Sequence, residues 1–310
     1  MNSLAAGVWP TMVTPFTDKN TIDYDALERA VEWYIGKGVD GLFAVCQSSE
    51  MFCLSLEERV ELASFVKRKA AGRVPVIASG HIADRFEDQV AELQAIAASG
   101  VDALVLITNR LAQEQESDDK WKNNLEKLLR LLPEELPLGF YECPYPYKRL
   151  ISPELLRWCA NTGRFHFLKD TSCNIADMKA KLEAVVGSNL GIFNANSATL
   201  LETLKLGIRG YSGVMANFHP ELYGWLAKHW QQQPEQAEAL EDLLSTMSLI
   251  EKQLYPVNAK YYLMLEGVFA TIHSRSRDHR DFTATHRLEI EQLSRLSART
   301  VGQLRVEFSG

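Results

Sequence analysis

The sequence predicts an α/β fold: a (β/α)8 barrel of the TIM type with a C-terminal helical extension. Three observations carry this. Eight short apolar runs alternate with eight amphipathic segments between residues 8 and 230. Several runs are continuously apolar, as strands covered on both faces require. No G-x-G-x-x-G opens the first helix, which weighs against the competing open, doubly wound sheet.

The elements follow in order. The first apolar run is Val8–Phe16, closing at Thr14-Pro15. A helix is predicted from Asp25 to Gly36, with Leu27, Ala30, Val31 and Tyr34 on one face and Gly38 as its stop. Gly41–Ser48 is the second strand. Ser55 opens the next helix, and Glu58 three positions on completes a capping box. Strands are predicted at Val74–Ser79, Ala103–Thr108, Leu138–Cys143, Phe165–Lys169, Leu190–Asn194 and Tyr211–Met215. The helices between and after them are Glu87–Ser99, Lys120–Leu132, Ser152 to Ala160, Ile175–Val186, Ala198–Leu206 and Pro220–Trp230. Ser152-Pro153 is an N-cap followed by proline in the first turn. Beyond Pro234 come Ala237–Leu254, Asn258–Phe269 and His286–Arg295, three helix candidates with no Pro/Gly/Ser-rich linker before them. The expected division is a barrel carrying the active site over residues 1–233 and a packed extension over 234–310.

Composition narrows the function. The chain has 310 residues, 46% hydrophobic and 24% charged, so it can bury a large core. A net charge of -7 argues against nucleic acid or an anionic membrane as partner. Cys46, Cys53, Cys143, Cys159 and Cys173 are odd in number and lack C-x-x-C spacing, which points to reduced thiols. No secretory signal is visible at Met1–Pro10, and no apolar stretch is long enough to span a bilayer. A soluble, cytoplasmic protein is expected.

Barrel chemistry sits at the C-terminal ends of the strands. There the sequence offers Lys169 after Phe165, Phe167 and Leu168. A lysine in such a buried run loses hydration, which favours the neutral amine, a nucleophile for ketones. The plainer alternative is a lysine whose stem packs on the rim while its head reaches water. Tyr141, at the end of the preceding strand, is either a proton-passing phenol or a core tyrosine. Ser48 and Ser49 are either a nest of donors for a carboxylate or simple turn residues. No H-E-x-x-H, P-loop or G-x-S-x-G is present, and the histidines do not pair at metal-ligand spacing. The basic cluster of His273, Arg275, Arg277, His279 and Arg280 reads as a solvated loop.

Taken together, these residues resemble the dihydrodipicolinate synthase / N-acetylneuraminate lyase family of class I aldolases, over roughly residues 8 to 220. The resemblance rests on Pro10-Thr11-Met12-Val13-Thr14-Pro15-Phe16, Gly38-Val39-Asp40-Gly41-Leu42 and Cys46-Gln47-Ser48-Ser49-Glu50, where the family has G-T-T-G-E or G-S-T-G-E. Leu54-Ser55-Leu56-Glu57-Glu58-Arg59, Tyr141 through Pro144 (Y-N-x-P) and Phe167-Leu168-Lys169-Asp170-Thr171-Ser172 complete it.

The resemblance implies roles. Lys169 would form the Schiff base and Tyr141 would shuttle protons. Ser48 and Ser49 would hold the carboxylate of pyruvate or a related 2-oxo acid. Gln47 stands where the family has a relay hydroxyl; Ser212 and Ala195 would line the pocket. No metal or organic cofactor is called for, and a homo-oligomer, dimer or tetramer, is implied. The sequence also departs from the pattern. Cys46 and Ser49 replace glycines, Glu142 replaces the asparagine of Y-N-x-P, and Cys173 replaces a glycine. Thr108 stands where the synthases have a tyrosine reaching the neighbouring subunit. Tyr145-Pro146-Tyr147 lacks their substrate arginine, which makes true dihydrodipicolinate synthase activity doubtful. The alternatives are an imine-dependent hydro-lyase or deaminase acting on a hydroxylated 2-oxo acid, and a non-catalytic ketoacid-binding barrel.

Overall fold

A computed structural model describes residues 4–306; residues 1–3 and 307–310, at the two ends of the predicted units, lie outside it. Eight strands form one parallel sheet. They are β1 (Gly7–Val8), β2 (Leu42–Val45), β3 (Val76–Ala78), β4 (Ala103–Ile107), β5 (Leu138–Tyr141), β6 (Phe165–Asp170), β7 (Gly191–Asn194) and β8 (Gly210–Tyr211). Their order is β1-β8-β7-β6-β5-β4-β3-β2. The two ends of that strip meet through a Thr11–Phe43 bridge, with Met12 N–H donating to Phe43 O and Phe43 N–H to Pro10 O, both at 3.0 Å. The sheet therefore curls into the barrel.

Eight helices follow the strands: α1 (Tyr24–Gly36), α2 (Leu56–Ala70), α3 (Phe86–Ala97), α4 (Asp118–Leu129), α5 (Pro153–Asn161), α6 (Ile175–Ala184), α7 (Leu200–Leu206) and α8 (Pro220–His229). The caps are those the sequence predicts. Ser55 Oγ accepts from Glu58 N–H and the Glu58 carboxylate accepts from Ser55 N–H, at 3.2 and 3.0 Å. Ser152 Oγ accepts from Leu155 N–H at 3.3 Å.

The first and last strands are shorter than their apolar runs. After Val8 the chain meets Pro10 and Pro15, which have no N–H to give a ladder. Trp9, Met12, Val13 and Phe16 are nevertheless buried. After Tyr211 the chain turns into a 3-10 segment at Val214–Asn217. The β1/β8 seam is tight: a Cβ on Gly210 would lie 1.9 Å from the Gly7 carbonyl oxygen.

Inside the barrel, Phe167 stacks on Phe193 with centroids 4.5 Å apart, and Trp9 and Phe43 tilt against Phe167. Side chains alternate along a strand, so Lys169 follows Phe167 on the inward face. An aromatic floor thus lies beneath the lysine.

The extension comprises α9 (Pro234–Met247), α10 (Val257–Leu265) and α11 (Ala284–Val306). Ala237, Leu240 and Leu244 of α9 belong to the same buried core as the barrel residues. The predicted single helix Ala237–Leu254 ends at Met247, and Ser248–Lys252 continues as a 3-10 segment. Among the described residues no helix is long and apolar enough to cross a membrane.

Candidate active site

A cavity of about 750 Å³ opens at the C-terminal ends of the strands. The barrel contributes Lys169, Tyr141, Gln47, Ser48 and Ala195 to its wall; the extension contributes Glu251, Tyr255 and residues 275–277.

Lys169 and Tyr141 face each other across the β5/β6 register. The Lys169 Nζ lies 5.0 Å from the centre of the Tyr141 ring. Lys169 is 3% exposed and forms no ion pair among the described residues. Burial lowers its ammonium from the ordinary 10.5 to about 8, against the opposing pull of Cys46, Cys143 and Glu251. Burial also pushes the Tyr141 phenol well above its usual value, with the neighbouring Cys143 and Cys46 acting the same way. A neutral phenol beside a readily deprotonated amine is a pair able to pass protons during imine formation.

The other predicted residues divide. Gln47 Oε1 accepts from Tyr141 Oη at 3.4 Å and from Cys143 Sγ at 3.5 Å. Ser48 Oγ donates to Thr11 Oγ1 at 3.2 Å at the cavity wall. Ser49 is different. Its hydroxyl donates to Cys46 O at 2.7 Å and accepts from Cys46 N–H at 2.8 Å, and its own N–H donates to Cys46 O. Ser49 holds the turn, with its hydroxyl and N–H both bonded to Cys46, and is absent from the cavity wall. The Ser212 hydroxyl donates to Trp9 O at 2.9 Å, across the barrel seam, and Val214 two residues on lines the cavity. Ala195 does line it.

The glycine replacements also resolve. Neither Cys46 nor Ser49 adopts positive φ; the left-handed residue of that turn is Glu50, at 62°. Cys173, at a family glycine position, does have positive φ, 57°. Thr108 is fully buried and donates to Arg149 O at 2.6 Å within its own chain.

Three features were not read from the sequence. Behind the lysine, Lys181 of α6 lies 2.6 Å from both Glu142 Oε1 and Asp170 Oδ2, all three essentially buried. Burial acts to lower the Lys181 pKa, but the two carboxylates outweigh it and the value rises. Second, the buried Glu50 carboxylate pairs with Lys260 of α10 and accepts from Ser274 Oγ and from the N–H groups of Arg275 and Ser276. Arg275 in turn grips Glu58 at 2.7 and 2.8 Å. Arg275 is thereby fastened at the cavity wall, while Arg277 and Arg280 of the same basic segment are exposed, as a solvated loop would have them. Third, Glu251 and Tyr255 enter the cavity from the extension. Among the described residues no cluster of His, Cys, Asp and Glu could hold a metal ion.

A family model described as the dihydrodipicolinate synthetase family matches residues 4–292. The chain belongs to that family. Its members are aldolase-type lyases that act through a lysine imine, and the chain is an enzyme of this class. The 4-hydroxy-tetrahydrodipicolinate synthase of Pseudomonas aeruginosa is 27% identical over 222 residues, 70% of this chain and 72% of that protein. Among solved structures, dihydrodipicolinate synthase DapA-2 of Bacillus anthracis matches with a TM-score of 0.85 at 19% identity, over 95% of this chain and 99% of the other. YagE, a family member from E. coli K12 in complex with pyruvate, matches with a TM-score of 0.82 at 22% identity, over 96% of this chain and 99% of its own. At these identities the solved structures speak for the shared fold.

Proposed function

We propose that this family member joins Lys169 to the ketone of pyruvate or a larger 2-oxo acid and makes or breaks a carbon–carbon bond beside the imine. The observation that carries the reading is the dry Lys169 amine, lowered to about 8 and set against the Tyr141 ring. Neutral Lys169 attacks the ketone, and Tyr141 moves protons as the carbinolamine loses water. Ser48 binds the substrate carboxylate, with Gln47 and Ala195 beside it. The protonated imine is then the electron sink.

The second substrate differs from that of the lysine-biosynthesis enzymes. Lys148 and Arg149 follow Tyr145-Pro146-Tyr147 directly in sequence, and both are engaged by other groups and absent from the cavity wall. Lys148 Nζ donates to Thr171 O at 2.8 Å, and Arg149 bonds Gln113 O, Glu116 O and Asp118. The proposal is therefore an aldolase for a hydroxylated 2-oxo acid rather than a dihydrodipicolinate synthase. The division at 233/234, a cytoplasmic setting for five unbridged cysteines and a homo-oligomeric state belong to the same proposal.

Borohydride added with pyruvate is expected to fix the ketoacid on Lys169, read by peptide mass spectrometry. Lys169→Ala should remove both adduct and turnover. Failure of any 2-oxo acid in a panel to leave an adduct would overturn the reading.

A further inference from the structure

Imine formation is half of the chemistry. Cleaving a carbon–carbon bond beside the imine also needs a group that removes a proton from the substrate hydroxyl and later returns one to carbon. The residues at the positions of a hydroxyl relay do not supply it. The Gln47 carboxamide accepts hydrogen bonds from Tyr141 and Cys143 but carries no proton onward near neutral pH. The Thr108 hydroxyl is tied to the Arg149 carbonyl. Glu50 is held by Lys260, Ser274 and two backbone N–H groups. The Tyr141 hydroxyl donates to Gln47 Oε1 and serves the imine steps, and the Tyr255 hydroxyl accepts from Asn217 Nδ2 at 3.1 Å.

One other carboxyl lines the cavity. Glu251 sits in the 3-10 segment Ser248–Lys252 and shares the cavity wall with Lys169 and Tyr141. Its carboxylate takes part in no hydrogen bond or ion pair with the described residues. A half-buried carboxyl without a hydrogen-bond or ion-pair partner among the described residues, on the same cavity wall as the proposed imine-forming amine, is an unusual arrangement for a purely structural residue. We propose that Glu251 is the acid–base residue of the bond-cleaving step.

The step, which rests on the imine reading above, balances as follows. With the imine formed between Lys169 Nζ and C2, the Glu251 carboxylate takes the proton of the C4 hydroxyl. The oxygen keeps the O–H electron pair and forms the carbonyl of the departing aldehyde. The C3–C4 bond breaks, and its pair moves through C2 to the iminium nitrogen, leaving an enamine on Lys169. Protonated Glu251 then gives its proton to C3, which restores the carboxylate and the iminium. Water releases pyruvate and free Lys169. No oxidant, metal or other reactant enters.

The electrostatics suit the task. Burial raises the Glu251 pKa above the usual carboxylate range, while Lys169 and Lys252 pull it down. A raised value makes the carboxylate a stronger base than one on the surface. The other titratable groups that feel its charge are the phenols of Tyr211, Tyr223 and Tyr255.

The test needs no knowledge of the aldehyde. The last proton transfer, run backwards, exchanges the C3 hydrogens of pyruvate with solvent, which proton NMR follows in deuterium oxide. At a pH above the Lys169 midpoint of about 8, where the amine is mostly neutral in both proteins, the rate of borohydride-trapped adduct formation in Glu251→Gln is expected to stay within about twofold of the unmodified protein. The C3 exchange rate should fall by about 10²- to 10⁴-fold. Retained adduct formation also reports that the variant is folded. Glu251→Asp, which keeps a carboxylate, should recover part of the exchange and serves as the readout if the glutamine variant misfolds. An adduct with exchange at the unmodified rate in Glu251→Gln would overturn the proposal and leave the imine reading standing. No adduct in the unmodified protein would remove both.

Discussion

At the scale of single residues, the amine of Lys169, as the proposed imine-forming group, is expected to set the pH behaviour. Only its neutral form attacks a ketone, and burial brings its pKa to about 8. Below that value the neutral fraction falls about tenfold per pH unit, and above it the fraction saturates. The rate of adduct formation with pyruvate is therefore expected to climb with pH up to about 8 and then level, measured by stopped-flow or quench with borohydride. Removing the Glu251 charge takes away one of the groups that raise the lysine, so the midpoint should move to lower pH in Glu251→Gln. Tyr141→Phe keeps the ring under Nζ but deletes the proton carrier. Its adduct should form about 10²- to 10⁴-fold more slowly, with little change in fold by circular dichroism.

At the scale of elements, side chains on opposite faces of β5 and β6 divide the labour. Tyr141 and Lys169 face the cavity. The next residues, Glu142 and Asp170, face outward and meet Lys181 of α6. The Glu142 carboxylate also accepts from Ile151 N–H at 2.9 Å and Thr171 N–H at 3.2 Å, fastening the two strand ends from behind. Removing Lys181 leaves two buried carboxylates unpaired, so Lys181→Met is expected to destabilise the fold by about 3–5 kcal/mol in urea titration. The turn after β2 is a second fastening. Burial raises the Glu50 carboxyl, yet the Lys260 charge and the donors around it outweigh burial and hold it below the usual range. A depressed carboxyl stabilises above its unfolded pKa, and that contribution is lost as pH falls through the folded value. At neutral pH, Glu50→Gln should free the segment around Arg275 at the cavity wall, read as faster amide exchange at Arg275 and Ser276.

At the scale of the whole molecule, the barrel and the extension of one chain together wall the cavity. Thr108 bonds inside its own protomer, and the residues that close the cavity come from the extension. Specific activity is therefore expected to stay constant on dilution through any subunit dissociation followed by analytical ultracentrifugation.

Much of this was legible in the sequence, and the reasons are local. Helix starts such as Ser55 with Glu58 and Ser152 with Pro153 depend on atoms three residues apart. Continuous apolar runs report strands buried on both faces. Lys169 was legible because a cation after Phe167 and Leu168 breaks such a run. Boundaries were less so: Val8–Phe16 is apolar for burial, while its prolines keep most of it out of the ladder.

By itself the sequence determined the barrel, the order of its strands and the lysine and tyrosine proposed to form the imine, because periodicity, caps and the two strand-end residues are encoded within short windows. Only the tertiary structure decided which polar groups are free. The fold gives the hydroxyls of Ser49 and Ser212 their partners, and Glu251 looks like a helix-surface carboxyl until α9 ends before it and places it at the cavity wall. A hydrogen bond to Trp9 from a residue 203 positions away, or a carboxylate brought to a lysine 82 positions earlier, is settled by chain closure in three dimensions, which no local pattern contains.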